Sequence, residues 1–351
     1  MNSSTNPLPG VPSVESPFFR RLFDPATTDA QTLRVARDLH EHGFAVIDFP
    51  DGQIDELAEA IKRDLHGEFD WDFWRGDGHR QGISLRVQDG WREHEAIRRI
   101  ACNEGVLELL SRLYGRRAWP FQTLNFPVGT QQHFHSDSVH FSSMPERFMC
   151  GVWVALEDVD ADNGPLVYYP GSHKWPVYTS EHIRRQFTAE GERPTQAIFE
   201  PMWRALVEAH GIAPQYFHAR KGQALIWAAN LMHGGAQQRD PARTRWSQVT
   251  HYYFDDCAYF TPLHSDLPLG RVEYRQLADI STGLPVPNRF AGADIPPSQV
   301  NAAERAQLWE ALEAGFDAKA YLRANPDVAE AGANPAEHFL SHGLREHRRL
   351  K

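Results

Sequence analysis

Between residues 119 and 254 the chain is broken into short apolar and aromatic runs, and that punctuation limits what it can fold into. The runs are 119–126, 148–156, 166–169, 224–228 and 247–254, with Pro127-Val128-Gly129, Asp162-Asn163-Gly164 and Pro170-Gly171 falling between them. Runs this short, closed by Gly, Pro and Asn, read as strands ended by turns rather than as helices. Several such strands in succession predict an antiparallel sandwich or barrel. Upstream the period lengthens. Helices are expected at 29–42, where Leu33, Ala36 and Leu39 share a face and Gly43 is the stop, at 54–65, and at 95–113 with an interruption near Asn103. A strand at 44–49 joins the first two. The expected fold class is mainly β with flanking helices.

Outside this region the texture changes again. Residues 1–17, rich in Ser, Pro and Asn, are expected to lack fixed structure. The main domain then runs over 18–262, with a helical insertion at 180–215 and an aromatic segment, Trp71 to Trp91, broken by Gly76, Gly78 and Gly82. Residues 263–300 are rich in Pro and Gly and read as a linker, and 301–351 as a small helical module. In that module Asn325 and Asn334 precede Pro326 and Pro335 as candidate N-caps. Cys102, Cys150 and Cys257 form no close-spaced pair, which excludes a disulfide framework or a structural zinc finger and suits a reducing cytoplasm. No run approaches the roughly 18–20 apolar residues of a membrane span, and no signal peptide is expected at the N-terminus. The formal charge of −10 argues against nucleic acid as a partner.

Eighteen histidines in 351 residues is the compositional excess that matters. The densest cluster is His133-Phe134-His135-Ser136-Asp137-Ser138-Val139-His140. On a strand, residues two apart face the same way, so His135 and Asp137 can present an imidazole and a carboxylate together. His233, where a strand ends in Gly234-Gly235, can supply a second imidazole. Two nitrogens and one oxygen on one triangular face leave the opposite coordination positions open, as in non-haem Fe(II) oxygenases. His133 is a rival ligand on the same strand parity. His140 would face away, His173 suits a turn, and His251 reads as a core residue. A co-substrate carboxylate needs a planar fork, which Arg245 or Arg243 can provide at the head of the strand 247–254, with Ser247 adding a hydroxyl. The competing reading pairs such an arginine with Asp240 or Asp255.

Taken in order, His135-Ser136-Asp137, Asp162-Asn163-Gly164-Pro165-Leu166, Pro170-Gly171-Ser172-His173, His233-Gly234-Gly235 and Arg245 resemble the phytanoyl-CoA dioxygenase (PhyH) family over roughly 32–254. The resemblance implies a double-stranded β-helix, a jelly-roll or cupin-like core. It implies a dioxygenase that uses Fe(II), with 2-oxoglutarate and O2 as co-substrates. It makes His135, Asp137 and His233 the metal ligands and Arg245 the partner of the far carboxylate of 2-oxoglutarate. Trp153 and Gln122 match further co-substrate positions. A lysine found in many members before the ligand pair is missing here, and Asn125 is its candidate replacement. Relatives that halogenate lack the ligand carboxylate, so the presence of Asp137 points to hydroxylation or a related oxidation. The tail from Phe316 resembles a small module attached to bacterial glycosyltransferases, which suggests a sugar or nucleotide-sugar substrate and a docking role for the module. The rival from another class is a catalytically silent jelly roll that binds carbohydrate in a polysaccharide pathway; a third reading gives the same ligands to another metal. Phytanoyl-CoA itself is not implied.

Overall fold

The computed structural model describes residues 5–187, 194–295, 315–343 and 348–349. Six strands make the principal sheet: β1 (Phe44–Asp48), β2 (Val87–Gln88), β3 (Ala118–Phe126), β5 (Met149–Ala155), β8 (Gln223–Ala228) and β10 (Ser247–Phe254). All neighbours are antiparallel, in the order β1-β8-β5-β10-β3-β2. The remaining strands are β4 (Ser142–Met144), β6 (Leu166–Tyr168), β7 (Gln215–Phe217), β9 (His233–Gly235), β11 (Ala258–Phe260), β12 (Leu277–Asp279), β13 (Leu284–Val286), β14 (Arg289–Phe290) and β15 (Ala293–Asp294). Of these, β7-β6-β9 form a second antiparallel sheet.

Every residue of β5 and β10 is buried, because both faces of the principal sheet are covered. On one face lie the helices Ala30–His42, Ile54–Leu65, Glu95–Ala101 and Glu104–Tyr114, which bury Val35, Leu39, Ile61 and Leu110 against the sheet. Asp29 and Asn103 cap the first and last of these by accepting from the amides of Thr32 and Val106. On the other face the second sheet encloses a separate core of Phe126, Leu225, Val249, Tyr168 and Phe217. Helices, large sheet and small sheet make a jelly roll sealed on one side and open at the end where β9 lies.

Three segments depart from expectation. Residues 5–17 are packed: Val14 is buried, Glu15 bonds Arg147, and the Pro9 carbonyl accepts from Arg116. A polar composition failed to show that one apolar residue and two arginines anchor the segment. Residues 263–295 are not a free linker. They carry two hairpins, β12–β13 and β14–β15, bury Ile280 and tie Asp279 to Arg117, so the Pro and Gly residues mark turns. Within 180–215 the α-helix among the described residues is Glu200–His210, followed directly by β7. In the tail, Ala318–Ala324, Pro326–Glu330 and Pro335–His338 are helical around Tyr321, Val328 and Phe339. Asn334 caps as expected, whereas the Asn325 side chain donates to the Tyr321 and Arg349 carbonyls instead. Residues 1–4, 188–193, 296–314, 344–347 and 350–351 lie outside the described residues.

Candidate active site

At the open end of the jelly roll the backbone N–H of His135 donates to the His233 carbonyl, and that of His233 to His135. This bridge brings two histidines nearly 100 positions apart side by side, with rings 4.6 Å apart between centroids. Gly235 permits the approach, since a Cβ there would strike the Thr130 hydroxyl. The chain then tightens into a 3-10 turn at Asp137–Val139, which swings the Asp137 carboxylate between the two imidazoles. Its Oδ1 lies 3.4 Å from His135 Nε2 and its Oδ2 3.8 Å from His233 Nε2. One ligand atom from each of the three lies within 4.8 Å of the others, and all three side chains are buried. Among the described residues this is the one His/Cys/Asp/Glu group with metal-binding geometry.

The donor atoms are prepared for a cation. His135 Nδ1 lies 3.1 Å from the His133 carbonyl and His233 Nδ1 3.0 Å from the Leu231 carbonyl. A carbonyl only accepts, so both Nδ1 atoms carry the proton and, in the neutral rings, both Nε2 atoms present lone pairs. Burial lowers His233 to about 4, which keeps it neutral. Burial alone would raise the Asp137 carboxyl, but the charge that His233, His251 and His135 would carry on protonation, with the hydrogen bond to His135, outweighs it, so the carboxyl is held well below the ordinary range. Three electron-rich atoms thus converge with no proton between them, an arrangement that a divalent metal satisfies. The second carboxylate oxygen also accepts from the Trp227 indole at 2.8 Å. Gly151, paired with Trp227 across β5 and β8, leaves room for that ring to lie against the sheet.

A cavity of about 500 Å³ opens beside this cluster, within the usual range for a small-molecule site. Arg245 lies at its inner end with no measurable exposure. Its guanidinium donates to the Ser247 hydroxyl at 3.3 Å and the Val128 carbonyl at 3.2 Å, while Nε has no partner. No carboxylate comes within ion-pair distance of it among the described residues. Burial lowers it to about 10, so it is still charged at neutral pH. A buried cation without a counter-ion marks a seat for an anion. The Trp153 ring packs 5.5 Å from the guanidinium, and its buried indole N–H also lacks a partner.

Strand parity sorts the other candidates. Gln122, Trp153 and Arg245 line the cavity, and Ser247 reaches it through Arg245. Asn125 does not: Gln122, Leu124 and Phe126 face inward, so Asn125 points to the opposite side of β3, where its amide donates to Gln248. His133 is held apart, between the Phe134 carbonyl and Arg204. Arg243 pairs at 2.8 Å with both oxygens of Asp160 on the surface. His173 serves its turn, with Nε2 3.3 Å from the His40 carbonyl. Two histidines expected to be bystanders line the cavity. His140 is turned inward by the 3-10 turn that a continuous strand would have lacked, and meets Gln196 at 2.9 Å. His251 has Nδ1 3.1 Å from Gln122 Oε1 and Nε2 3.7 Å from Asp137 Oδ2. Counting by twos from Arg245 along β10 through Ser247 and Val249 reaches it, a signal the sequence did contain.

The profile of the phytanoyl-CoA dioxygenase (PhyH) family matches residues 39–245, more than half of the chain and the span from the last turn of the helix Ala30–His42 to Arg245. The chain belongs to this family. It is 27% identical over 203 residues to the peroxisomal phytanoyl-CoA dioxygenase of Rattus norvegicus, covering 53% of this chain and 54% of that one. It is 27% identical over 179 residues to the ectoine dioxygenase of Nocardia farcinica (strain IFM 10152), covering 46% of this chain and 58% of that one. The chain therefore spans about half the length of the curated relatives it matches. Among solved structures it resembles the non-haem α-ketoglutarate-dependent carbocyclase SnoK from nogalamycin biosynthesis. The TM-score is 0.50 with 16% identity, over 67% of this chain and 87% of that one. That likeness shows a shared fold, the double-stranded β-helix.

Proposed function

We propose that this protein is an Fe(II)- and 2-oxoglutarate-dependent dioxygenase that hydroxylates an aliphatic C–H of a small polar molecule, in the cytoplasm. One observation carries the reading: two histidines with protons fixed on Nδ1 and a deprotonated carboxylate converge beside a buried arginine that has no counter-ion. His135, Asp137 and His233 would hold the metal through Nε2, a carboxylate oxygen and Nε2. The bound iron would couple decarboxylation of 2-oxoglutarate, to succinate and CO2, to insertion of one oxygen atom of O2 into the substrate C–H bond. Arg245 takes the far carboxylate, with the Ser247 hydroxyl beside it, and the Trp153 indole offers a further donor. Trp227 steadies Asp137. The apolar walls formed by Leu124, Phe126, Leu166 and Val249 keep bulk water from the co-substrate.

The substrate class the tail suggests is a sugar or nucleotide-sugar, and the module at 301–351 would dock on a protein partner of a glycan pathway. The test is release of succinate from 2-oxoglutarate with Fe(II) and O2, screened over small polar candidates. Stimulation by a candidate, lost in Asp137→Ala, supports the reading. A protein that binds candidates but releases no succinate, with or without iron, would be the silent binder instead.

A further inference from the structure

The Asp137 carboxylate and the two imidazoles come together on a turn and on a distant segment, so the chain around them must impose their closeness. Trp227 holds the carboxylate itself. The backbone that carries it is held by other groups. Ser136, between the two ligands, opens the 3-10 turn, and its Oγ accepts from the Ser138 amide at 3.2 Å. The same Oγ lies 2.9 Å from Asn230 Oδ1 and 3.3 Å from the Ala229 carbonyl. A hydroxyl has a single proton, and the Ala229 carbonyl already accepts from the Ser138 amide, so the proton goes to Asn230.

The buried Asn230 side chain has one possible orientation. Its Nδ2 faces the Trp175 carbonyl at 2.7 Å and the His173 carbonyl at 3.4 Å. Carbonyls only accept, so the amide nitrogen points to them and the oxygen to Ser136. Three residues further on is His233, and between them Leu231 offers the carbonyl that fixes the His233 proton. Met232 is clamped to the same loop: its N–H donates to Ser172 Oγ at 2.9 Å, and its carbonyl accepts from the Tyr169 amide at 2.9 Å. One amide therefore ties together the turn bearing His135 and Asp137, the segment bearing His233, and the loop 169–175. That loop is anchored from its far side. Arg147 donates to the same two carbonyls, His173 at 3.1 Å and Trp175 at 3.0 Å, and pairs with Glu15 at 2.6 Å. Each carbonyl has two lone pairs, so it can accept from Arg147 and Asn230 together.

We propose that Asn230 is a positioning residue of the metal site, holding the two ligand-bearing segments together through Ser136, with the Glu15–Arg147 pair bracing the loop to which Asn230 is tied. The inference rests on the reading of His135, Asp137 and His233 as metal ligands. It gives the segment around Glu15 a part in a site that it does not touch.

The test uses the full chain with Co(II), whose visible d–d absorption reports coordination geometry without turnover. Binding by the wild type is measured first; failure to take up one equivalent counts against the metal reading, and this inference falls with it. Affinity is then read by chelator competition, and stability by urea unfolding of the metal-free protein. Ser136→Ala and Asn230→Ala should each weaken Co(II) binding by about tenfold and shift the d–d bands, the scale of losing a group that orients a ligand. Because both act through one hydrogen bond, the double variant should bind within about twofold of Asn230→Ala. Glu15→Gln, remote from the metal, should weaken binding by about threefold. A merely structural asparagine would lower the urea midpoint but leave the affinity and spectrum of the folded protein unchanged. That result would overturn the inference, and Ser136→Ala alone decides it if Asn230→Ala does not fold. Single losses that multiply in the double variant would overturn it too, and an unchanged affinity in Glu15→Gln would overturn the brace.

Discussion

Arg245 makes a prediction with an unusual sign. Burial brings its pKa down from the ordinary guanidinium range to about 10, which corresponds to about 3 kcal/mol of disfavoured charge in the ligand-free protein. Its hydrogen bonds to Ser247 and Val128 return about 1 kcal/mol each. Replacing it with a neutral side chain of similar length, Arg245→Met, should therefore leave the ligand-free protein no less stable, and about 1 kcal/mol more stable by this balance. At about 2 °C per kcal/mol for a domain of this size, the melting temperature should rise slightly. With metal and 2-oxoglutarate the order should reverse. At a concentration of about 100 times Kd, binding stabilises the wild type by about 2.7 kcal/mol, or about 5 °C. The variant, lacking two charge-assisted bonds to the distal carboxylate, should lose about a hundredfold or more in affinity and show almost no shift. The assay is thermal unfolding of both proteins with and without Zn(II) and 2-oxoglutarate. Curves that do not cross, or an Arg243→Met variant that loses the ligand shift as fully, would refute the assignment of the buried arginine as the anion seat.

Other predictions follow from the same geometry. Trp227→Phe removes the indole donor to Asp137 and should weaken metal affinity by about 10- to 100-fold, measured by Zn(II) competition, while the fold persists. His173, His233 and His251 are all lowered by burial to about 4. Below their unfolded values near 6.5 the unfolded chain takes up protons that the folded chain does not. The urea midpoint of the metal-free protein should thus be highest above about pH 6.5 and fall as pH drops to about 4; a flat profile would contradict the burial argument. Asn125→Ala should leave the affinity for 2-oxoglutarate within about twofold and cost about 1 kcal/mol of stability through the lost bond to Gln248. A large loss of affinity would place Asn125 back in the site.

What the sequence disclosed follows the reach of its local signals. Turn formers and period located β3, β5, β8 and β10 to within a residue or so, and the interruption expected near Asn103 is the N-cap of the second of two helices. His135 and Asp137 were singled out on the assumption of an unbroken strand. The chain instead turns at Asp137, so the pair converges by a tighter route and His140 comes inward with it. The family resemblance put Asn125 in the site although it has the opposite strand parity to Gln122, and the strand reading left His251 in the core although Arg245 already defined the face. Trp227 had no local signature. Its role needs the knowledge that β8 lies against Gly151 and beneath the Asp137 turn, which is pairing between distant segments. Composition misled at 5–17 and 263–295 for the opposite reason: a few anchors such as Val14, Ile280 and the Arg117–Asp279 pair order segments that are polar on average.

The central claim is that His135, Asp137 and His233 hold Fe(II) so that 2-oxoglutarate can chelate beside them under Arg245. Anaerobic titration of the protein with Fe(II) and then 2-oxoglutarate tests it directly, through the weak visible charge-transfer absorption of the chelate. The absorption should appear at one equivalent of iron per chain, vanish in Asp137→Ala, and require far more 2-oxoglutarate in Arg245→Met than in Arg243→Met. No absorption in the wild type, or an undiminished one in Asp137→Ala, would contradict the account.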